Sequence, residues 1–248
     1  MSTLSADLLL SLGVVPGPHP RRQLQAVLTA RPPGGFPLGW LEDADRLWAG
    51  EARLRPVVEA SALPSQAWGR TRVALWRGDI TALRVDAIVN AANLDLLGCF
   101  VPFHACIDNA IHTAAGPRLR EACAEVLASL GGVETTGQAR LSPAFHLPSR
   151  FVLHTVGPVF RDAGDLGPEL LAGCYRACLD RCHEHAGIRS LAFCSISTGV
   201  FGFPVGPAAR IAVDTVRGWL DRHPGALDLV VFDVFSDRDL AVYSETLR

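Results

Sequence analysis

Cys99, His104 and Cys106 place two thiols and an imidazole close together, with four residues between the first pair and one between the second. A loop this short can close around one ion. Two soft sulfurs and one ring nitrogen suit zinc better than a hard, oxygen-seeking cation. Three protein ligands would leave the fourth tetrahedral position open, which is the arrangement of catalytic rather than structural zinc. Asp108 and His112 are candidate fourth ligands, although helical spacing can equally turn them away. The competing reading is two buried thiols and a surface histidine.

The neighbouring residues are also unusual for a core. Asn90-Ala91-Ala92-Asn93 ends an apolar run. Amides there are costly to bury without a partner, and they suit hydroxyl-rich ligands because they donate and accept without charge. Asn90 could instead satisfy a local backbone group. Ser197-Thr198-Gly199-Val200-Phe201-Gly202 is a loop whose glycines allow backbone N–H groups to converge as a nest for a diphosphate. It lacks the Gly-Lys-Ser/Thr of a P-loop, and taken alone it reads more readily as a plain loop. Cys174, Cys178 and Cys182 repeat every four residues on one helix face, and the expectation for them is core packing.

These residues need a frame. The 248 residues are 49% hydrophobic and 19% charged, with a formal net charge of −2, enough apolar content for a sizeable core. That balance gives no general attraction to nucleic acid or anionic membrane. No run approaches the ~18 apolar residues of a membrane span, and the first residues lack the basic start of a signal peptide. Seven cysteines, an odd number, fit a reduced cytoplasmic setting better than a disulfide framework.

Residues 1–70 read as a helical N-terminal extension. Leu8, Leu9, Leu10, Leu12, Leu24, Val27 and Leu28 suggest short amphipathic helices. Trp40, Leu41, Leu47 and Trp48 suggest another, with Gly39 and Gly50 as breakers. From residue 71 strands and helices alternate. Strands are expected over 73–76, 87–89, 151–156, 190–194 and 229–235. Helices are expected over 107–124 with a break at Gly116-Pro117, 170–185, 208–220 and 239–247. The alternation predicts a layered α/β domain with a mostly parallel sheet, and such sheets bind ligands beyond their carboxyl ends.

Gly78-Asp79-Ile80-Thr81, residues 85–93, His154-Thr155-Val156-Gly157-Pro158 and residues 196–204 together resemble the macrodomain family, over residues 73–247. Leu97-Gly98-Cys99-Phe100 and residues 102–109 resemble its zinc-dependent branch, which also carries a helical N-terminal extension. The resemblance implies a three-layer α/β/α fold with a mixed, mostly parallel sheet. It implies Zn2+ as cofactor on Cys99, His104 and Cys106, and ADP-ribose as ligand. Asp79 and Ile80 would then hold adenine, and Phe235 would stack on it. Asn90 and Asn93 would address the distal ribose. Ser197, Thr198, Gly199, Val200 and Phe201 would cradle the diphosphate. The implied activity is removal of mono-ADP-ribose from modified proteins, acidic acceptors foremost, with Asn93 and the three metal ligands as catalytic residues. A non-catalytic ADP-ribose reader and an O-acetyl-ADP-ribose deacetylase are the alternatives. A zinc nucleobase deaminase is set aside, because its His-x-Glu and Pro-Cys-x-x-Cys elements are absent. Asp233 stands where relatives of this branch often carry asparagine.

Overall fold

The computed structural model describes residues 2–248. Three helices open the chain: α1 (Ser2–Ser11), α2 (Pro20–Ala30) and α3 (Trp40–Ala52). They share a small core of Leu8, Leu9, Leu24, Trp40, Ala44, Leu47 and Trp48. The Trp40 indole N–H donates to the Leu8 carbonyl at 3.1 Å, so its polar edge is satisfied inside that core. Gly50, expected to end the third helix, lies within it. A mid-helix glycine costs about 1 kcal/mol, less than burial of Leu47 and Trp48 returns.

The helical segment ends at Ala52, earlier than the sequence suggested. β1 (Val58–Glu59) and β2 (Ser65–Trp68) follow, and β2 is already part of the main sheet. The chain continues through β3 (Thr71–Arg77), β4 (Leu83–Arg84), β5 (Ala87–Ala92), α4 (Ile107–Ala115) and α5 (Pro117–Ser129). Then come β6 (Ala139–Pro143), β7 (Phe151–Val156), α6 (Phe160–Ala163), α7 (Gly167–Glu184), β8 (Ser190–Phe193), α8 (Val205–Arg222), β9 (Leu229–Val234) and α9 (Asp237–Thr246).

The large sheet has the order β2-β3-β9-β8-β5-β7-β6. Its two outer strands run antiparallel to their neighbours, and the five between them are parallel. β1 and β4 form a separate parallel pair. Every residue of β9 is buried, as expected of a strand covered on both faces.

The register decides what each face carries. Phe193 and Phe232 are paired on β8 and β9, and pack on Tyr175 of α7 and Tyr243 of α9. Asn90 and His154, paired on β5 and β7, project from the opposite face toward α4 and α5. Cys174, Cys178 and Cys182 are buried along α7, as their spacing predicted. Because the central strands are parallel, the loops after β3, β5, β7, β8 and β9 all leave from one edge of the sheet.

Candidate metal and nucleotide site

The loop from β5 to α4 carries the three soft ligands. Asn93 closes its base: its Nδ2 donates to the Gly98 carbonyl at 3.1 Å, and its Oδ1 accepts from the Asp95 N–H at 3.1 Å. Gly98 turns the chain at φ +82°, and a Cβ there would sit 3.0 Å from the His112 ring. Both the left-handed backbone and the close ring call for glycine.

Beyond Gly98 the ligand atoms of Cys99, His104 and Cys106 all lie within 4.8 Å of one another. Cys99 Sγ is 3.6 Å from His104 Nδ1. Tetrahedral zinc with ordinary Zn–S and Zn–N bonds spaces its ligands about 3.5–3.8 Å apart, so this separation is already metal-like. The Val101 N–H donates to Cys99 Sγ, and the Asn109 N–H donates to Cys106 Sγ, each at 3.4 Å. Cys106 is the N-cap of α4, where the helix dipole also favours negative charge. Burial, followed by the neighbouring Cys99, pushes the Cys106 thiol up to about 11. Two soft sulfurs and one ring nitrogen gathered at this spacing make a donor set that fits zinc. His104 is exposed, leaving a side of the cluster open.

Asp108 and His112 do not complete this set. Both are buried on the inner side of α4. Asp108 Oδ1 accepts from Asn90 Nδ2 at 2.8 Å and lies 3.5 Å from His112 Nε2. Asn90 Nδ2 is also 3.2 Å from His154 Nδ1, whose Nε2 meets Ser142 Oγ at 2.8 Å and Cys123 Sγ at 3.6 Å. Burial raises Asp108 to about 6 and lowers His154 to about 4. His112 falls well below its usual range through burial, then through the nearby His154 and Arg120. The expectation that Asn90 reaches a ribose is therefore corrected. Its side chain is 0% exposed, and its Nδ2 belongs to this internal network, which fixes α4 against the sheet, while its Oδ1 has no partner. His112, Cys123 and His154 are themselves within 4.8 Å, all three buried; His154 Nε2 is engaged by Ser142 and Cys123, while His112 Nε2 has no hydrogen-bond partner.

The other expected site residues lie at the same sheet edge. Asp79, just after β3, is exposed, and its Oδ1 accepts from the Thr81 N–H at 2.9 Å and the Thr81 hydroxyl at 2.7 Å. The Ile80 side chain is in the core, so only its backbone can face a ligand. Phe235, after β9, is 82% exposed, a flat apolar surface facing water. The Ser197–Phe201 loop is tightly built. Ser197 is buried at φ +65°, its Oγ has no partner, and its carbonyl accepts from the Phe203 N–H at 2.9 Å. Thr198 Oγ1 donates to the Ser195 carbonyl at 2.9 Å, and the Gly202 N–H donates to the Gly199 carbonyl at 3.0 Å. Val200 at the tip is 73% exposed. The Phe160 N–H donates to the Phe201 carbonyl, tying this loop to the one after β7.

Two supporting residues escaped the sequence reading. Asn109 holds the far side of the metal loop, its Nδ2 donating to the His104 carbonyl at 2.9 Å. A side-chain donor three residues after the N-cap Cys106 was a local signal that could have exposed it. Arg120 reaches the Cys99 carbonyl from α5, and nothing nearby in sequence marks it.

The Macro domain family profile matches residues 89–212. A protein-ADP-ribose hydrolase from Treponema medium is 44% identical over 226 residues, covering 90% of this chain and 86% of that protein. A protein-ADP-ribose hydrolase from Staphylococcus aureus is 47% identical over 176 residues, covering 70% of this chain and 65% of its own length. Among solved structures, a Trypanosoma brucei macrodomain in complex with ADP-ribose superposes with a TM-score of 0.70 at 33% identity, covering 94% of this chain and 97% of that one. That coverage extends into the N-terminal helices. With the α/β sheet, its loop edge and these matches in hand, the chain belongs to the macrodomain family.

Proposed function

We propose that this protein is a zinc-dependent hydrolase that removes mono-ADP-ribose from modified protein side chains, with acidic acceptors as its main substrates. The relatives named protein-ADP-ribose hydrolase support the reaction class. The observation that carries the zinc part is the convergence of Cys99, His104 and Cys106 within 4.8 Å on a loop built by Asn93 and Gly98. A reader that only binds ADP-ribose has no use for such a cluster. The seven free cysteines suit a reducing, cytoplasmic setting. Among the described residues no helix is long and apolar enough to cross a membrane.

Cys99, His104 and Cys106 would hold the ion, which when bound supplies Lewis-acid polarisation of a substrate oxygen or a water of lowered pKa. The chain does the rest by positioning. Asp79 offers a carboxylate oxygen to an exocyclic amine, a group that accepts and cannot donate when ionised. Phe235 offers a face for stacking. The 197–201 backbone offers N–H groups to the diphosphate. Asn93 already uses one amide hydrogen and one lone pair within the loop. It retains a second of each for a ribose hydroxyl, so it can address the sugar without opening the loop. Held this way, the bond from the anomeric carbon to an acceptor carboxylate would lie at the metal loop.

The test is release of label from aspartate/glutamate-linked and serine-linked ADP-ribosylated acceptors, with and without a chelator, beside the metal content of the purified protein. Chelator-sensitive release from the acidic linkage is the expected result. Binding of ADP-ribose without release would make the protein a reader, and activity confined to O-acetyl-ADP-ribose would make it a deacetylase. Full release from metal-free protein would end the zinc reading.

Gly157, in the loop after β7, gives a second prediction. A Cβ there would fall 2.0 Å from Ser197 Oγ and 2.9 Å from Ile196 Cγ2. Both side chains must shift, and Ser197 belongs to the 197–201 loop. Gly157→Ala should weaken ADP-ribose binding about 5–10-fold, roughly 1 kcal/mol, measured by calorimetry on metal-free protein.

A further inference from the structure

The metal loop is gripped from a second direction, by the N-terminal helices. Arg120 of α5 is buried, and its Nη1 donates to three carbonyls at the end of α2: Leu28 at 2.7 Å, Thr29 at 3.0 Å and Arg31 at 2.5 Å. Its Nη2 makes a long bond of 3.5 Å to the Cys99 carbonyl, and its guanidinium lies 4.5 Å from the centre of the Phe100 ring. One planar fork thus joins the last turn of α2 to the Cys99 limb of the loop, a task a point-charge ammonium can repeat only in part. Arg22 of α2 lies over Phe103 at 4.6 Å, touching the loop near His104.

The reverse end is held as well. The last turn of α4 leaves carbonyls unpaired within the helix. Trp48 Nε1 from α3 donates to the Thr113 carbonyl at 2.8 Å, and Arg55 Nη2 donates to the Ala114 carbonyl at 3.0 Å. Cys106 caps the opposite end of this same helix. The N-terminal segment therefore contacts both limbs of the loop: Cys99 through Arg120, and Cys106 through α4.

We propose that Arg120 is a positioning residue for the metal loop and that the N-terminal helices, held by it, brace Cys99 and Cys106 into ligand geometry. The proposal concerns the loop of the hydrolase reading above, and rests on that reading only where zinc is measured. Among the described residues Arg120 donates both to the end of α2 and to the Cys99 carbonyl.

The test uses the full chain with Arg120→Met, Arg120→Lys and the exposed Arg22→Ala. In metal-free protein, Arg120→Met should speed amide exchange across residues 99–106 about 10-fold or more, while β5 exchanges at the parent rate. Its zinc affinity, read by competition with a chromogenic chelator, should fall about 30-fold, with partial rescue in Arg120→Lys and ADP-ribose affinity within about twofold of the parent. Arg22→Ala, which has no core to disturb, should weaken zinc about threefold. Uniform faster exchange over the whole sheet, or parent exchange at residues 99–106, overturns the brace. If Arg120→Met does not fold, parent zinc affinity and parent exchange in Arg22→Ala overturn it. A parent that binds no zinc ends the hydrolase reading instead, and the metal-free exchange result still decides the brace.

Discussion

Cys99→Ala is expected to slow hydrolysis of an ADP-ribosylated acceptor by about 10³-fold or more, while ADP-ribose affinity stays within about threefold. The asymmetry follows from where the parts sit. Cys99 belongs to the loop after β5, whereas Asp79 follows β3, the diphosphate loop follows β8 and Phe235 follows β9. Loss of one sulfur would leave two ligands for the proposed ion, too few to keep it against water, and touches none of Asp79, the 197–201 loop and Phe235. The same change at Cys106 would be harder to interpret. Cys106 Sγ also accepts the Asn109 N–H as the cap of α4, and losing a cap costs about 1 kcal/mol of helix stability by itself. At Cys99 the comparable contact is a single N–H from Val101 within the loop.

The measurement is label release under single-turnover conditions beside calorimetric ADP-ribose binding for parent and variant. Equal release rates would show that the cluster has no part in turnover. A parallel loss of binding and release would show instead that Cys99 shapes the nucleotide site. A drop in release alone, not reversed by added zinc, is the expected pattern.

What the sequence disclosed depended on how far apart the interacting residues lie. Cys99, His104 and Cys106 are neighbours in the chain, so their spacing already described a closed loop. β5 was legible because a strand covered on both faces is a continuous apolar run. β6 and β2 were not, because both are edge strands with exposed positions, and β6 includes Pro143. Asn90 shows the limit within a correctly placed strand. Whether its amide meets a ribose or the core is set by its pairing with His154, 64 residues away, and by Asp108 on the overlying helix. Arg120 is further out of reach, since its partners on α2 lie about 90 residues upstream. Gly50 was misplaced for a different reason: tertiary burial of its helix outweighed its local preference.

Asp233→Asn is expected to make the protein more stable than its parent at high pH and nearly equal to it at low pH. Asp233 sits on β9 opposite Trp76, 6% exposed, with one carboxylate oxygen buried and unpartnered. Burial, and then the charge of Asp79, push it up to about 8 from 3.8, against a smaller opposing pull from the Gly78 N–H. The folded chain therefore keeps this proton to about pH 8, whereas the unfolded chain releases it near pH 4. Between those values the folded state binds the extra proton, so its stability is full below the lower value and declines as pH rises through the upper one. Above it, a bare carboxylate is buried beside Asp79 with an orphan oxygen. Asparagine has the same shape and never charges. Its advantage over the parent should be small at pH 5 and should grow to about 2 kcal/mol or more at pH 9. Other groups titrate over the same range, Asp108 among them, so the quantity to follow is the difference between the two proteins in urea unfolding at each pH. A difference that stays constant from pH 5 to pH 9 would mean that Asp233 is ionised throughout.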